Sequence, residues 1–175
     1  MMKNIWNISN LLSLFRLLLA APLFVLIYNA DYGYAVIILF TGSISDILDG
    51  YFARKFNQIS EFGKIIDPLA DKVFVSAFVI ALLLKGQIPI WFFITIISRD
   101  LLILLGGMVM AKRQKVVPPS NIFGKMAVSA IGITLLLFIL DLLSPEMFLY
   151  AMILTTLLLA VSFIVYLKNF FVSLK

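Results

Sequence analysis

The chain alternates long apolar segments with short polar ones. Crossing a bilayer as a helix takes about 20 apolar residues, and six runs approach or exceed that length: 11–30, 34–54, 64–84, 88–110, 124–142 and 146–167. We therefore expect an all-α integral membrane protein with six transmembrane helices, forming a single domain over residues 1–175. Residues 1–10 mix polar and aromatic groups, which predicts a short amphipathic segment at the membrane interface.

Basic residues are distributed unevenly among the loops. They gather at both termini and in the second and fourth loops, whereas the other three loops hold only Lys85. The positive-inside rule then predicts that both termini and the working face are cytoplasmic, in a multi-pass protein of the inner (cytoplasmic) membrane. Topology and attraction to anionic membrane lipid explain the net charge of +5. We therefore expect no nucleic-acid binding.

Four aspartates interrupt two neighbouring apolar segments, where a carboxylate is costly and usually functional. Asp46 and Asp49 lie near the end of the second segment, and Asp67 and Asp71 lie near the start of the third. Each pair has a spacing of three or four residues, which places its members on one helix face. The two segments are expected to be antiparallel neighbours whose acidic stripes face each other.

Facing carboxylates repel one another unless a cation neutralises them. The chain has no histidine and no cysteine, so its acids indicate a hard divalent cation held by oxygen ligands. Two such ions about 4 Å apart suit chemistry at a diphosphate. Gly50, Ala53 and Gly63 remove bulk beside the acids, and Arg54 directly follows Ala53. These residues favour a flat, phosphate-bearing ligand next to the metal.

The stretch Asp46-x2-Asp49-Gly50-x2-Ala53-Arg54-x8-Gly63-x3-Asp67-x3-Asp71 resembles in full the signature of the CDP-alcohol phosphatidyltransferases. The resemblance implies a homodimer that takes CDP-diacylglycerol, releases CMP and uses Mg²⁺ or Mn²⁺, one or two ions per protomer. It implies metal ligation by Asp46, Asp49, Asp67 and Asp71, and makes Asp71 the general base. The residues it implies at the nucleotide are Asp49, Gly50, Ala53, Arg54 and Gly63.

Further resemblances concern the acceptor alcohol. Asn10-Leu11-x-Ser13-x2-Arg16 is similar to an N-terminal pattern of bacterial phosphatidylglycerophosphate synthases, with serine in place of threonine. Arg99-Asp100 and Gly124-Lys125 also resemble that subfamily, although glutamate is commoner after the arginine. The resemblance implies glycerol 3-phosphate as acceptor. The run at 67–72 is shared with CMP-forming cardiolipin synthases, so cardiolipin synthesis, or transfer to another alcohol such as an inositol phosphate, stays open.

A phosphorylated acceptor needs cations, which we expect from Arg99, Arg113 and Lys125. The loop cations have a simpler interpretation as topology signals, and Arg99 as a partner of Asp100 or of a motif aspartate. Asn10 and Arg16 are expected to support the site, with interfacial snorkelling as the alternative for Arg16. Two other classes of protein are alternatives to the enzyme: a divalent-cation transporter and a non-catalytic membrane scaffold.

Overall fold

The computed structural model of this chain is all-helical in the residues it describes, which are 7–55, 63–114 and 122–173. The side chains at 53–54, 64–65, 108–114 and 171–173 lie outside that description. Six helices form among these residues, which confirms the expected number of helices but not that all six span the membrane: α1 (Ile8–Tyr28), α2 (Tyr32–Lys55), α3 (Gly63–Leu84), α4 (Ile90–Gln114), α5 (Ile122–Ile139) and α6 (Pro145–Ser173).

Five helices, α1, α2, α4, α5 and α6, are long and apolar enough to cross a membrane. The chain is therefore a multi-pass membrane protein. α3 falls short of the same criterion because its first ten residues hold four charged ones, Lys64, Asp67, Asp71 and Lys72. Of the interfacial segment predicted at 1–10, residues 1–6 lie outside the described residues, and 8–10 belong to α1.

Two compact units divide the chain, Met1–Ile88 and Pro89–Lys175. The division does not test the expectation of one domain, which stays a prediction. In the first unit α1 packs against both α2 and α3. Among the described residues of α2 and α3, no two Cα atoms approach within 8 Å. The main chains of these two helices are therefore not in close contact, and α1 provides a surface that both of them contact.

The buried face of α1 explains this position. It is polar over its first half and apolar over its second: Ser9, Asn10, Ser13, Arg16, Ala20, Leu23 and Ile27. Buried polar groups need partners, and α2 and α3 both carry polar groups that can pair with this face. The apolar half provides ordinary core packing against the same two helices.

Side-chain hydrogen bonds connect the two turns at the end of the first unit away from the aspartates. Lys85 Nζ donates to the carbonyl of Tyr28 at the end of α1, at 2.9 Å. Gln87 Nε2 donates to the hydroxyl of Tyr32 at the start of α2, at 2.6 Å. Both bonds connect the turn after α3 to the turn between α1 and α2, so α1 and α3 run in the same direction.

α6 is the common partner in the second unit, since it packs against both α4 and α5. The hydroxyls of Thr134 in α5 and Thr155 in α6 lie 2.8 Å apart and are buried. Tyr166 of α6 donates its hydroxyl to the carbonyl of Ile103 in α4 at 3.2 Å. Buried hydroxyl contacts of this kind stabilise helix pairs in a lipid environment, where apolar contacts favour no particular partner.

α2 and α3 meet through a side chain at Gly42. A Cβ atom at Gly42 would lie 2.5 Å from Cζ and 2.8 Å from Cε1 of the Phe74 ring, which is closer than van der Waals radii allow. Gly42 lies one turn before Asp46, and Phe74 lies three residues after Asp71. This contact therefore helps to set the spacing between the two helices that carry the aspartates.

Gly42→Ala should therefore destabilise the protein by about 1–3 kcal/mol, because the buried Phe74 ring has to shift. The measurement is the unfolding midpoint in detergent. Gly33→Ala in the same helix is the matched control, since nothing lies within 4 Å of its added Cβ. The control should leave stability unchanged or raise it slightly. Equal behaviour of the two variants would contradict the contact as described.

Candidate active site

The carboxylates of α2 and α3 converge on one side chain of α1. Arg16 Nη1 donates to Asp46 Oδ1 at 2.5 Å, and Arg16 Nη2 donates to Asp49 Oδ2 at 2.6 Å. Arg16 Nη1 also lies 3.1 Å from Asp71 Oδ1. One guanidinium thus joins three carboxylates from two helices, an arrangement that its planar set of donors permits.

The fourth aspartate, Asp67, contacts a serine that lies one turn earlier in α1. Ser13 Oγ lies 2.5 Å from Asp67 Oδ1 and 3.3 Å from Asp49 Oδ2. Ser9 Oγ donates to the main-chain carbonyl of Asp49 at 3.2 Å. These contacts bring the four predicted metal ligands together around the polar face of α1.

Burial changes steeply across this cluster. The side chain of Arg16 is 2% exposed and that of Asp49 is 8% exposed. The side chains of Asp46 and Asp71 are 56% and 47% exposed. Arg16 and Asp49 therefore form the floor of the cluster, and Asp46 and Asp71 form its open side.

Whether the cluster fits a metal ion depends on donors and charge. Among the described residues, no group of three or more acidic side chains is arranged as a preformed metal site. Each carboxylate nevertheless contacts α1 through only one of its oxygens. Four carboxylates sharing one guanidinium retain an excess of negative charge in this part of the described chain. Oxygen donors with that charge fit a hard divalent cation.

The structure describes the remaining predicted site residues of the first unit to different extents. Asn10 is buried in the first turn of α1, where its main-chain N–H donates to Asn7 Oδ1 at 2.7 Å. Gly50 lies beside Asp49 in α2, and Gly63 is buried at the start of α3. Ala53 and Arg54 belong to α2, but their side chains lie outside the described residues. Nucleotide binding by these residues stays a prediction.

Ser9 and Ser13 were not among the site residues predicted from the sequence. A signal was present, because Ser9, Ser13 and Arg16 follow each other at i, i+4 and i+7 in an otherwise apolar helix. Such a stripe lies on one helix face and needs polar partners. The snorkelling alternative for Arg16 does not hold, since its side chain is buried and bound to acids.

The second unit contains a separate buried arginine. Arg99 Nη1 pairs with Asp100 Oδ1 at 2.6 Å, and Arg99 Nη2 donates to Ser162 Oγ at 2.8 Å. α5 passes close to this pair, since a Cβ atom on Gly124 would lie 3.6 Å from Arg99 Nη2. The expected alternative, an ion pair with Asp100, is confirmed. A role for Arg99 in acceptor binding stays a prediction.

Two other predicted acceptor ligands belong to the same unit. Lys125 is exposed near the start of α5. Arg113 belongs to the last turn of α4, and its side chain lies outside the described residues. Acceptor binding by both residues remains a prediction.

Comparison with known proteins identifies the family. The model of the CDP-alcohol phosphatidyltransferase family matches residues 6–166, which is most of the chain. The chain belongs to the CDP-alcohol phosphatidyltransferase family. It is therefore a transferase, as the aspartate motif predicts, and the transporter and scaffold hypotheses are set aside.

Several members of this family are similar to the chain over much of its length. A CDP-diacylglycerol–glycerol-3-phosphate 3-phosphatidyltransferase of Aquifex aeolicus is 36% identical over 74% of this chain and 74% of its own length. The Bacillus subtilis protein of the same name is 34% identical over 69% of this chain and 70% of its own length. A CMP-forming cardiolipin synthase of Streptomyces coelicolor is 30% identical over 71% of this chain, which covers 60% of that relative.

The ion pair between Arg99 and Asp100 can be tested by its effect on the stability of the protein. Arg99→Met should destabilise the protein by about 3–5 kcal/mol, because Asp100 then loses its buried cation. The double change Arg99→Met and Asp100→Leu should recover most of that loss, since it removes both charges. The free energy of unfolding in detergent, compared across the two single variants and the double variant, checks this. Additive losses would contradict a direct pair.

Proposed function

We propose that this protein transfers the phosphatidyl group of CDP-diacylglycerol to glycerol 3-phosphate and releases CMP. The observation that carries the proposal is the convergence of all four motif carboxylates on α1. Two relatives that cover about three quarters and about two thirds of this chain are named for the same transfer. The reaction belongs to phospholipid synthesis.

A divalent cation is part of the proposal. Asp46, Asp49, Asp67 and Asp71 would hold one or two Mg²⁺ or Mn²⁺ ions through the carboxylate oxygens that do not contact α1. The ion supplies charge neutralisation at the donor diphosphate and at the leaving phosphate. The open side of the cluster, formed by Asp46 and Asp71, is where the diphosphate would approach.

The chain's own residues account for the proton and for the position of the nucleotide. Asp71 accepts the proton of the acceptor hydroxyl, whose oxygen forms a bond to the lipid-side phosphorus. The bond from that phosphorus to the bridging oxygen breaks, and CMP leaves with the electron pair. Asp71 is half-exposed, as a base for a water-soluble acceptor requires. Gly50, Ala53, Arg54 and Gly63 would line the nucleotide.

Acceptor recognition is proposed for Arg99, Arg113 and Lys125. Their positive charges suit the phosphate of glycerol 3-phosphate. Lys125 is exposed, so its ammonium group is accessible to a soluble ligand. Cardiolipin synthesis is the second candidate, because a relative matching 71% of this chain is named for it.

The distribution of basic residues supports an orientation. Basic residues near 112–115, at Lys3 and at Lys168 and Lys175 support the proposal that those parts lie on the cytoplasmic side of the inner membrane. The donor is then used from the cytoplasmic leaflet. A homodimer with one site in each protomer, which the family resemblance implies, completes the proposal.

The reaction is tested with purified protein, CDP-diacylglycerol and a divalent cation. CMP release should require glycerol 3-phosphate, and the lipid product should have the mass of phosphatidylglycerophosphate. Asp71→Asn should lower turnover by about 100-fold or more, because it removes the base. CMP release with phosphatidylglycerol but not with glycerol 3-phosphate would instead favour the cardiolipin synthase.

Lys125→Gln tests acceptor recognition. Loss of one charged hydrogen bond to the acceptor phosphate should raise the KM for glycerol 3-phosphate about tenfold, with little change in the KM for CDP-diacylglycerol. Lys168→Gln is the matched control, since Lys168 is also an exposed lysine near a helix end. Equal kinetics for the two variants would assign Lys125 to topology alone.

A further inference from the structure

The polar face of α1 provides a partner for every motif carboxylate. Arg16 contacts three of them, and Ser13 contacts Asp67 and Asp49. Neither Ser13 nor Arg16 belongs to the eight-position motif between Asp46 and Asp71. The arrangement of the carboxylates thus depends on a helix outside the motif.

We propose that Ser13 and Arg16 are positioning residues that hold the four motif carboxylates in register for a divalent cation. The inference rests on the proposed function, because it takes those carboxylates as the metal ligands. The two residues act on the cation only through the aspartates they orient, as hydrogen-bonding partners of metal ligands commonly do.

Main-chain geometry supports this role. In the described parts of α2 and α3, Cα atoms of the two helices stay more than 8 Å apart, so direct packing between these main chains does not fix the distance between their aspartates. α1 packs on both helices and contacts Asp46 and Asp49 of one and Asp67 and Asp71 of the other. Together with the Phe74 ring that packs on Gly42, these contacts of α1 hold the two pairs in a common register.

The burial gradient shows why Arg16 is a support for the cation site and not a competitor within it. Its side chain is 2% exposed and lies beneath the cluster, next to the buried Asp49. Asp46 and Asp71 extend from there to the exposed side. A cation that arrives from the exposed side reaches the outer carboxylate oxygens without displacing the guanidinium.

Two physical effects of Arg16 predict opposite changes in metal affinity when this residue is replaced. Its positive charge repels a nearby metal ion, so removal of the charge alone would tighten metal binding. Its hydrogen bonds orient three ligands, so their loss would weaken metal binding, by about 10–100-fold for a typical outer partner. Because one guanidinium orients ligands on two helices, we expect the orienting effect to be the larger.

The experiment measures Mn²⁺ affinity by electron paramagnetic resonance on the purified full-length protein in detergent, without substrate. The informative variants are Ser13→Ala, Ser13→Thr, Arg16→Lys and Arg16→Gln. Arg16→Lys keeps the charge but loses the planar set of donors, and Ser13→Thr keeps the hydroxyl. Thr134→Val is the matched control, because it removes a buried hydroxyl that contacts Thr155 in the second unit.

We expect Ser13→Ala and Arg16→Lys to weaken Mn²⁺ binding by about tenfold or more, and Ser13→Thr to restore it to near the wild-type value. Thr134→Val should leave the Mn²⁺ affinity unchanged. Ser13→Ala keeps Arg16 in place, so it tests the inference even if Arg16→Gln fails to fold. A merely structural role would lower the unfolding midpoint without changing the Mn²⁺ affinity.

Two results would overturn the inference: wild-type Mn²⁺ affinity in both Ser13→Ala and Arg16→Lys, or tighter binding in Arg16→Gln. Failure of the proposed function looks different. In that case the wild-type protein would bind Mn²⁺, the variants would weaken it as expected, and no acceptor would release CMP. Absence of Mn²⁺ binding by the wild-type protein would overturn the inference whatever the result for CMP.

Discussion

A buried arginine in a membrane helix must have anionic partners, and Arg16 meets that requirement with three carboxylates. An isolated charge in this setting costs several kcal/mol, so neither Arg16 nor Asp49 is stable there without the other. The partners come from both α2 and α3. The same contacts therefore determine how the three helices pack and how the acids are arranged. Loss of Arg16 would disturb both.

The same interaction explains how four carboxylates coexist near one another. The guanidinium neutralises part of their charge from below, and the Ser13 hydroxyl orients Asp67. Enough negative charge remains among the described side chains to attract a divalent cation. Asp46 and Asp71 are exposed, so in the proposed reaction they are the members of the cluster that the diphosphate would approach. Arg16 and Asp49 stabilise the buried floor of the same cluster.

The helices and the two pairs of aspartates were predictable from the sequence, because both depend on the local pattern of residues. Apolar length gave six helices, and the spacing of Asp46, Asp49, Asp67 and Asp71 placed each pair on one face. The position of α1 was not predicted, because it follows from which helix can satisfy buried polar groups on its neighbours. The stripe of Ser9, Ser13 and Arg16 contained that information, but its partners lie 30 or more residues away in sequence. The pattern of residues within one helix does not identify its partners on other helices.

The two buried arginines also bear on acceptor choice. Arg99 has a carboxylate beside it in sequence and a serine on α6, so its charge is already balanced within its own unit. Relatives with two different names, glycerol-3-phosphate phosphatidyltransferase and cardiolipin synthase, are 36% and 30% identical to this chain over similar lengths. Residues common to both kinds of relative serve the shared half of the reaction and cannot select the acceptor. Of the three cations proposed for acceptor recognition, Lys125 is the one whose described side chain is exposed, so it is the first residue to test as the group that selects the acceptor.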